Sequence, residues 1–277
     1  MRSFLRRMLY VIIGLYLALV LIGAFFADGL IFFPHRSSYR DGPEILKLTT
    51  AGGKKISALY LANPPARFTL LISHGNAEDI GDDRPWLEEL HEAGFSVFAY
   101  DYEGYGTSEG KPSEKAVYED ESSAYDYLTR TLHVPPENII IYGRSVGSGP
   151  AVHLAAKVPV AGLILQSPFL SAFRVLTRVP LLPFDKFPNY KDVRRVHCPL
   201  LIMHGEADTV IPFWHGKKLY ELANGPKTFL PIPGADHNDL EFVAGKAYLT
   251  ALRQFAASLA ERQSTKMALE NGQIRSR

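Results

Sequence analysis

The stretch NIIIYGRSVGSGPAVHLAAK, Asn138 to Lys157, decides the fold of this 277-residue chain. It begins as a β-branched apolar run and ends as an alanine-rich helix former, and between them Gly143 and Gly147 bracket Ser145. A strand that turns at once into a helix lifts the serine hydroxyl above the sheet and aims a helix N-terminus at it. The two glycines leave room beside so tight a turn, and Pro150 falls near the first helical turn, where a missing amide donor matters least. The stretch therefore predicts a strand, a sharp turn and a helix within a layered α/β fold.

The same five-residue pattern, GxSxG, occurs a second time as GTSEG, Gly106 to Gly110. There Ser108 is followed by Glu-Gly-Lys-Pro, which is turn chemistry, and the next helix begins only near Ser113. Ser108 is expected to be a loop hydroxyl that satisfies backbone groups. The pattern alone is weak, and context separates the two.

Outward from this stretch, short apolar runs alternate with amphipathic ones. The runs are ISALYLA, FTLLIS, FSVFAY, NIIIYG, AGLILQS, PLLIMHG and TFLPI. Several are apolar on both faces, as strands covered by helices on each side must be. Helices are expected at Pro85 to Ala93, Ser113 to Thr131, Val146 to Lys157, Phe213 to Ala223 and Asp239 to Ala260, with Ser113 as an N-cap. The alternation predicts an α/β class with a mostly parallel central sheet and helices on both faces. One long interruption, Ser167 to His197, is rich in Pro, Phe, Leu and Arg. It reads as a short cap-like insertion above the sheet, either an acyl-binding cover or a loop that only packs on the domain.

A nucleophilic serine needs a base within hydrogen-bond reach and a third group that fixes the base's tautomer. In LLIMHGEADTVIP a strand ends and presents Asp208, and in FLPIPGADHNDL the last strand ends and presents His237. Serine, acid and histidine thus follow in order on the carboxyl ends of successive strands. Glu206 is the serious alternative acid; Asp236 adjoins His237 and reaches its ring with difficulty. His204 and His215 read as a strand-end and a helix-surface histidine. The oxyanion donors are expected to be the backbone amide of Val146 and one from the loop HGNAED, Asn76 first and Ala77 next, with His74 bracing that loop.

Taken together, SHGNAED, DYEGYGTSEG, YGRSVGSG, HGEADTVIP and GADHND resemble the α/β-hydrolase superfamily, in its BEM46-like branch, from about Glu44 to Ala260. The resemblance implies the α/β-hydrolase fold, Ser145 as nucleophile, Asp208 as acid, His237 as base and an oxyanion donor at Asn76. It also implies hydrolysis of acyl esters, lysophospholipids or acyl thioesters. Depalmitoylating relatives carry a cysteine-rich lipidated N-terminus, which this chain lacks, so that activity does not carry over.

In place of such an N-terminus, MRSFLRR leads into nineteen uncharged residues, Met8 to Phe26. As a helix rising ~1.5 Å per residue this is close to the ~30 Å hydrocarbon layer. A transmembrane signal anchor is favoured over a cleaved signal peptide, because the run is long and Phe25 sits where a small residue should precede a cut after Ala27. Arg2, Arg6 and Arg7 precede the span and only Arg36 and Arg40 follow closely, which puts the catalytic domain on the non-cytoplasmic side. The expected organisation is an anchor and juxtamembrane segment at 1–34, a catalytic domain at 35–261 with its insertion at 167–197, and a polar tail at 262–277 that is disordered or a frayed helix end.

Composition narrows the rest. A formal net charge of +1 without long basic runs argues against nucleic acid as a partner. The single cysteine, Cys198, allows no internal disulfide and no thiolate cluster, and no close histidine ligand pair occurs. No metal and no cofactor are expected. The expected partners are the membrane and a small acyl-ester or lipid-like substrate. The same triad could serve a peptidase or amidase, and a non-catalytic binding protein is the reading from outside the enzymes.

Overall fold

The computed structural model describes residues 2–270 and 272. The chain begins with α1 (Arg2–Phe25) and the short α2 (Ala27–Ile31), then β1 (Ile45–Thr49), β2 (Lys55–Leu61) and β3 (Thr69–Ser73). Next come α3 (Arg84–Glu92), β4 (Ser96–Tyr100), α4 (Glu114–Asp126), β5 (Ile139–Arg144), α5 (Ser148–Ala155) and β6 (Gly162–Gln166). The insertion carries α6 (Ala172–Thr177) and α7 (Asn189–Asp192). It is followed by β7 (Leu200–Gly205), α8 (Trp214–Leu222), β8 (Lys227–Ile232), α9 (Leu240–Ala244) and α10 (Lys246–Glu270).

The eight strands form one sheet in the order β1-β2-β4-β3-β5-β6-β7-β8. From β4 to β8 every pairing is parallel, and β1 and β2 join antiparallel at one edge. The parallel strands are apolar on both faces because both are covered. Leu71, Ile141, Leu165 and Ile202 point to the side packed by α4, α5 and α8. Leu70, Ile140, Ile164 and Met203, one residue out of step, point to the side packed by α3 and α10 through Leu87, Leu90, Leu252 and Phe255. A sheet of this kind offers its binding crevice at the carboxyl ends of the strands, and β5, β7 and β8 all end on that edge.

Several local expectations meet a different outcome. β1 is a further strand; its short ILKLT pattern has a single buried residue and no clean alternation, so it stood below recognition. The helix expected over Asp239 to Ala260 is two helices, because Gly245 turns the chain at φ +51°, a conformation that favours glycine. The tail is helical further than expected, since α10 continues to Glu270; residues 271 and 273–277, like Met1, lie outside the described residues. Ser113 caps α4 as expected, its hydroxyl accepting the Ala116 amide at 3.1 Å.

Helix α1 is long and apolar enough to cross a membrane, and of its residues only Gly23 is buried. At ~1.5 Å per residue its 24 residues span about 36 Å. It is a candidate membrane anchor.

Candidate active site

Ser145 stands directly after β5 with φ +52°, left-handed backbone that a non-glycine residue adopts only under constraint. Close packing supplies the constraint. A Cβ on Gly147 would come within 2.1 Å of the Ser73 carbonyl oxygen, and one on Gly143 within 2.6 Å of the Ala151 Cβ. The turn therefore lies flat against the end of β3 and the first turns of α5, and the serine side chain projects away from both. A tight 3-10 turn over Ser145–Gly147 opens the helix, so the α-helical geometry starts slightly later than the pattern predicted.

The loops after β7 and β8 bring the acid and the histidine to this serine. The Ser145 hydroxyl lies 2.9 Å from His237 Nε2 and donates to it when Nδ1 carries the ring proton. Nδ1 in turn lies 2.8 Å from Asp208 Oδ2, to which it donates. The other carboxylate oxygen of Asp208 accepts the Ile211 and Val210 amides at 2.7 and 3.0 Å. Burial alone would raise the Asp208 carboxyl, but the bonds from His204 and His237, the His237 charge and the Ile211 amide hold it well below the usual range. Glu206, the rival acid, is exposed on the same loop and has no bond to the ring.

Asp236, set aside as an acid, has a positioning contact. Its carboxylate accepts the Thr209 amide at 2.7 Å, the Thr209 hydroxyl at 2.9 Å and the His237 amide at 2.8 Å. It thereby clips the loop of Asp208 to the loop of His237. His204 lies beside the acid, with Nε2 2.8 Å from the Ile211 carbonyl and 3.3 Å from Asp208 Oδ2. His215 is buried, not on a helix surface, and its Nδ1 accepts the Leu170 amide at 3.1 Å.

The residues expected to supply the oxyanion donors border one pocket. The Val146 amide belongs to the first turn of a helix, where no intrahelical acceptor is available. Across from it, the Asn76 amide has no acceptor among the described residues, whereas the Ala77 amide is occupied by the Asn76 side chain at 3.1 Å. The loop is held from below. His74 Nδ1 bonds the Gly75 carbonyl at 2.7 Å and its ring packs on Tyr102 with centroids 4.1 Å apart, while burial pushes its pKa down to about 4.

Ser145, His237, Asn76 and Val146 border a pocket of about 420 Å³. Phe169, Ala172, Phe173, Val175 and Leu176 of the insertion form one apolar wall, and Ala27, Leu30 and Ile31 form another. A larger groove, about 850 Å³, lies between β1 and α4 and contains none of these four residues.

The comparisons agree with this architecture. A family model described as serine aminopeptidase S33 matches residues 64–183. The Caenorhabditis elegans alpha/beta hydrolase domain-containing protein aho-3 is 46% identical over 69% of this chain, a match that spans 58% of that relative. The human alpha/beta hydrolase domain-containing protein 17B is 39% identical over 80% of this chain and 78% of its own length. The chain belongs to the α/β-hydrolase family. Among solved structures, the Pyrococcus furiosus esterase Pf2001 superposes with a TM-score of 0.68 at 19% identity, covering 81% of this chain and 98% of that one. Est1E of Butyrivibrio proteoclasticus, solved with ferulic acid bound, gives 0.65 at 21% identity over 78% and 99%.

Two features of this α/β-hydrolase escaped the sequence reading. Arg144, next to the serine, is largely buried and its guanidinium lies 3.4 Å from Glu78, 3.6 Å from Asp83 and 3.9 Å from Glu241. Burial raises Glu78 and Asp83, and the shared arginine opposes that rise. An arginine inside the GxSxG pattern was the available signal. The second feature is the Asn76 carboxamide, which reaches the chain at and just after the end of α2. Elsewhere, His35, Asp79 and Asp82 bring ligand-type atoms within 4.8 Å of one another. The Asp79 carboxylate there already accepts the Ser38, Gly81 and Asp82 amides, as a turn brace does.

Proposed function

We propose that this α/β-hydrolase is a membrane-anchored serine hydrolase that cleaves carboxylic ester or thioester bonds of acyl or lipid-like substrates. The observation that carries the reading is the relay from the Ser145 hydroxyl through His237 to Asp208, at 2.9 and 2.8 Å. In the proposed reaction His237 Nε2 takes the Ser145 proton as Oγ attacks the acyl carbonyl. Asp208 holds the ring in the tautomer with hydrogen on Nδ1 and stabilises the imidazolium that forms. The amides of Val146 and Asn76 receive the oxyanion. The imidazolium then protonates the departing alcohol or thiol, and water, activated by the same base, releases the acyl group from Ser145.

The apolar walls of the pocket support an acyl chain as the part that is bound, and α1 supports a membrane as the place where such chains are met. The arginines in the first turns of α1, ahead of its apolar run, favour a non-cytoplasmic catalytic domain. The name of the matched family favours a second reading, cleavage of an aminoacyl amide by the same serine.

A fluorophosphonate probe tests the nucleophile: wild-type protein is labelled and Ser145→Ala is not. A panel of p-nitrophenyl esters, lysolipids, acyl-CoA and aminoacyl amides tests the bond. Preference for the esters or thioesters supports the first reading, and preference for the amides overturns it.

A further inference from the structure

The juxtamembrane segment does not hang between anchor and enzyme. The Ile31 carbonyl accepts the Asn76 side-chain amide at 2.6 Å, and the Phe33 amide donates back to Asn76 Oδ1 at 3.0 Å. The same Oδ1 takes the Tyr105 hydroxyl at 2.6 Å and the Ala77 amide at 3.1 Å, so the lone-pair capacity of that oxygen is fully used. The Phe33 amide also donates to the Tyr105 hydroxyl oxygen at 3.1 Å. The segment is held from its other side as well. Asp28 pairs with Lys186 of the insertion at 3.0 Å, and Gly23 sits so close to Leu182 that an added Cβ would lie 2.7 Å from it.

We infer that residues 27–33 are a working part of the active site, in which Leu30 and Ile31 limit the acyl pocket and the Phe33 amide, through the Asn76 carboxamide, positions the oxyanion loop. This rests on the serine-hydrolase reading and extends it. The physical argument is one of geometry. The Asn76 backbone amide is free to receive an oxyanion, yet it belongs to a surface loop whose next residue, Ala77, is held at φ +58°. Such a loop keeps one conformation only when its surroundings determine it, and the bonded carboxamide is the contact that does so from above. The segment that emerges from the anchor therefore takes part in both binding and turnover.

Full-length variants in detergent test this with p-nitrophenyl esters of graded chain length. Phe33→Pro removes the amide donor together with the ring, and the extended Phe32 before it, at φ −101° and ψ 131°, is compatible with a following proline. Phe33→Ala removes the exposed ring and keeps the donor. The expected result is a kcat for Phe33→Pro at least ~10-fold below that of Phe33→Ala with KM little changed, since full loss of an oxyanion donor lowers kcat ~10²–10³-fold. Exchange of the bonded Ala77 and Asp79 amides should accelerate in the proline variant alone. Leu30→Trp, at an exposed position on the pocket wall, should lower turnover of long-chain relative to short-chain esters by ~10-fold or more.

Equal kcat and exchange for the two Phe33 variants, or an unchanged chain-length profile in Leu30→Trp, overturns the inference. If wild-type protein hydrolyses no ester and Ser145 takes up no fluorophosphonate, the hydrolase reading fails and this inference with it. Normal wild-type turnover with indifferent variants sinks the inference alone.

Discussion

The two GxSxG loops use the same letters for opposite purposes. At Ser108 the hydroxyl is consumed: it accepts the Ser57 amide at 2.9 Å and donates to the Asp101 carbonyl at 3.1 Å, closing a turn against β2. At Ser145 the hydroxyl meets an imidazole and the backbone is held at φ +52°, so the local structure bears the strain and the side chain stays available. A serine becomes chemically useful when its own backbone has no need of its oxygen.

The largest expected effect separates these loops. Ser145→Ala should lower ester turnover by ~10⁴-fold or more without unfolding the protein, as for the serine of any such relay. Asp208→Asn should come next at about 10³–10⁴-fold, because an amide favours the wrong ring tautomer of His237. Both are read from steady-state rates on one p-nitrophenyl ester, with circular dichroism to confirm folding.

Packing at the turn is the next point of attack. Gly147→Ala places a methyl 2.1 Å from the Ser73 carbonyl oxygen, backbone that cannot move aside, and should destabilise the fold by ~3 kcal/mol or more in urea titrations. Intact stability in that variant would mean that the turn is looser than the contact implies.

Beneath the active turn, Glu121 is fully buried, accepts the Ser73 hydroxyl at 2.9 Å and is pushed up to about 8 by burial. A carboxyl whose folded pKa is raised binds its proton more tightly when folded. Its stabilising contribution is complete below the ordinary glutamate pKa and is lost as pH rises through the folded value. Thermal stability should therefore fall between about pH 5 and 8, and Glu121→Gln should flatten that slope. A slope unchanged in the variant would assign the dependence to other buried acids that burial raises, among them Asp120, raised to about 8, Asp101, raised to about 7, and Asp83. The smallest effect belongs to the decoy: Ser108→Ala should cost about 1 kcal/mol of stability and leave turnover within about twofold.

Much of this was legible because it is local or ordered along the chain. Strand, glycine, serine and helix lie within twenty consecutive residues, Asn138 to Lys157, and Asp208 and His237 each follow an apolar run that ends in a turn. What escaped depends on contacts between distant residues. Nothing near Asn76 announces that its carboxamide bonds Ile31, 45 positions away, or that the Phe33 amide, 43 positions away, bonds its oxygen. His215 sits in a short helix that reads as a surface one, and its bond to the Leu170 amide of the insertion, 45 positions away, belongs to its buried setting. The break at Gly245 was overlooked for a simpler reason, since a lone glycine in a helical pattern is usually tolerated at a modest penalty.

The Asp236 clip has a consequence for anyone who rebuilds this protein. Because one carboxylate holds Thr209 and the His237 amide together, the two loops it joins are a single inheritable module. Grafting either loop from a relative would import half of a matched pair, whereas transplanting both, with the clip, should carry the alignment of acid and base intact into a new scaffold.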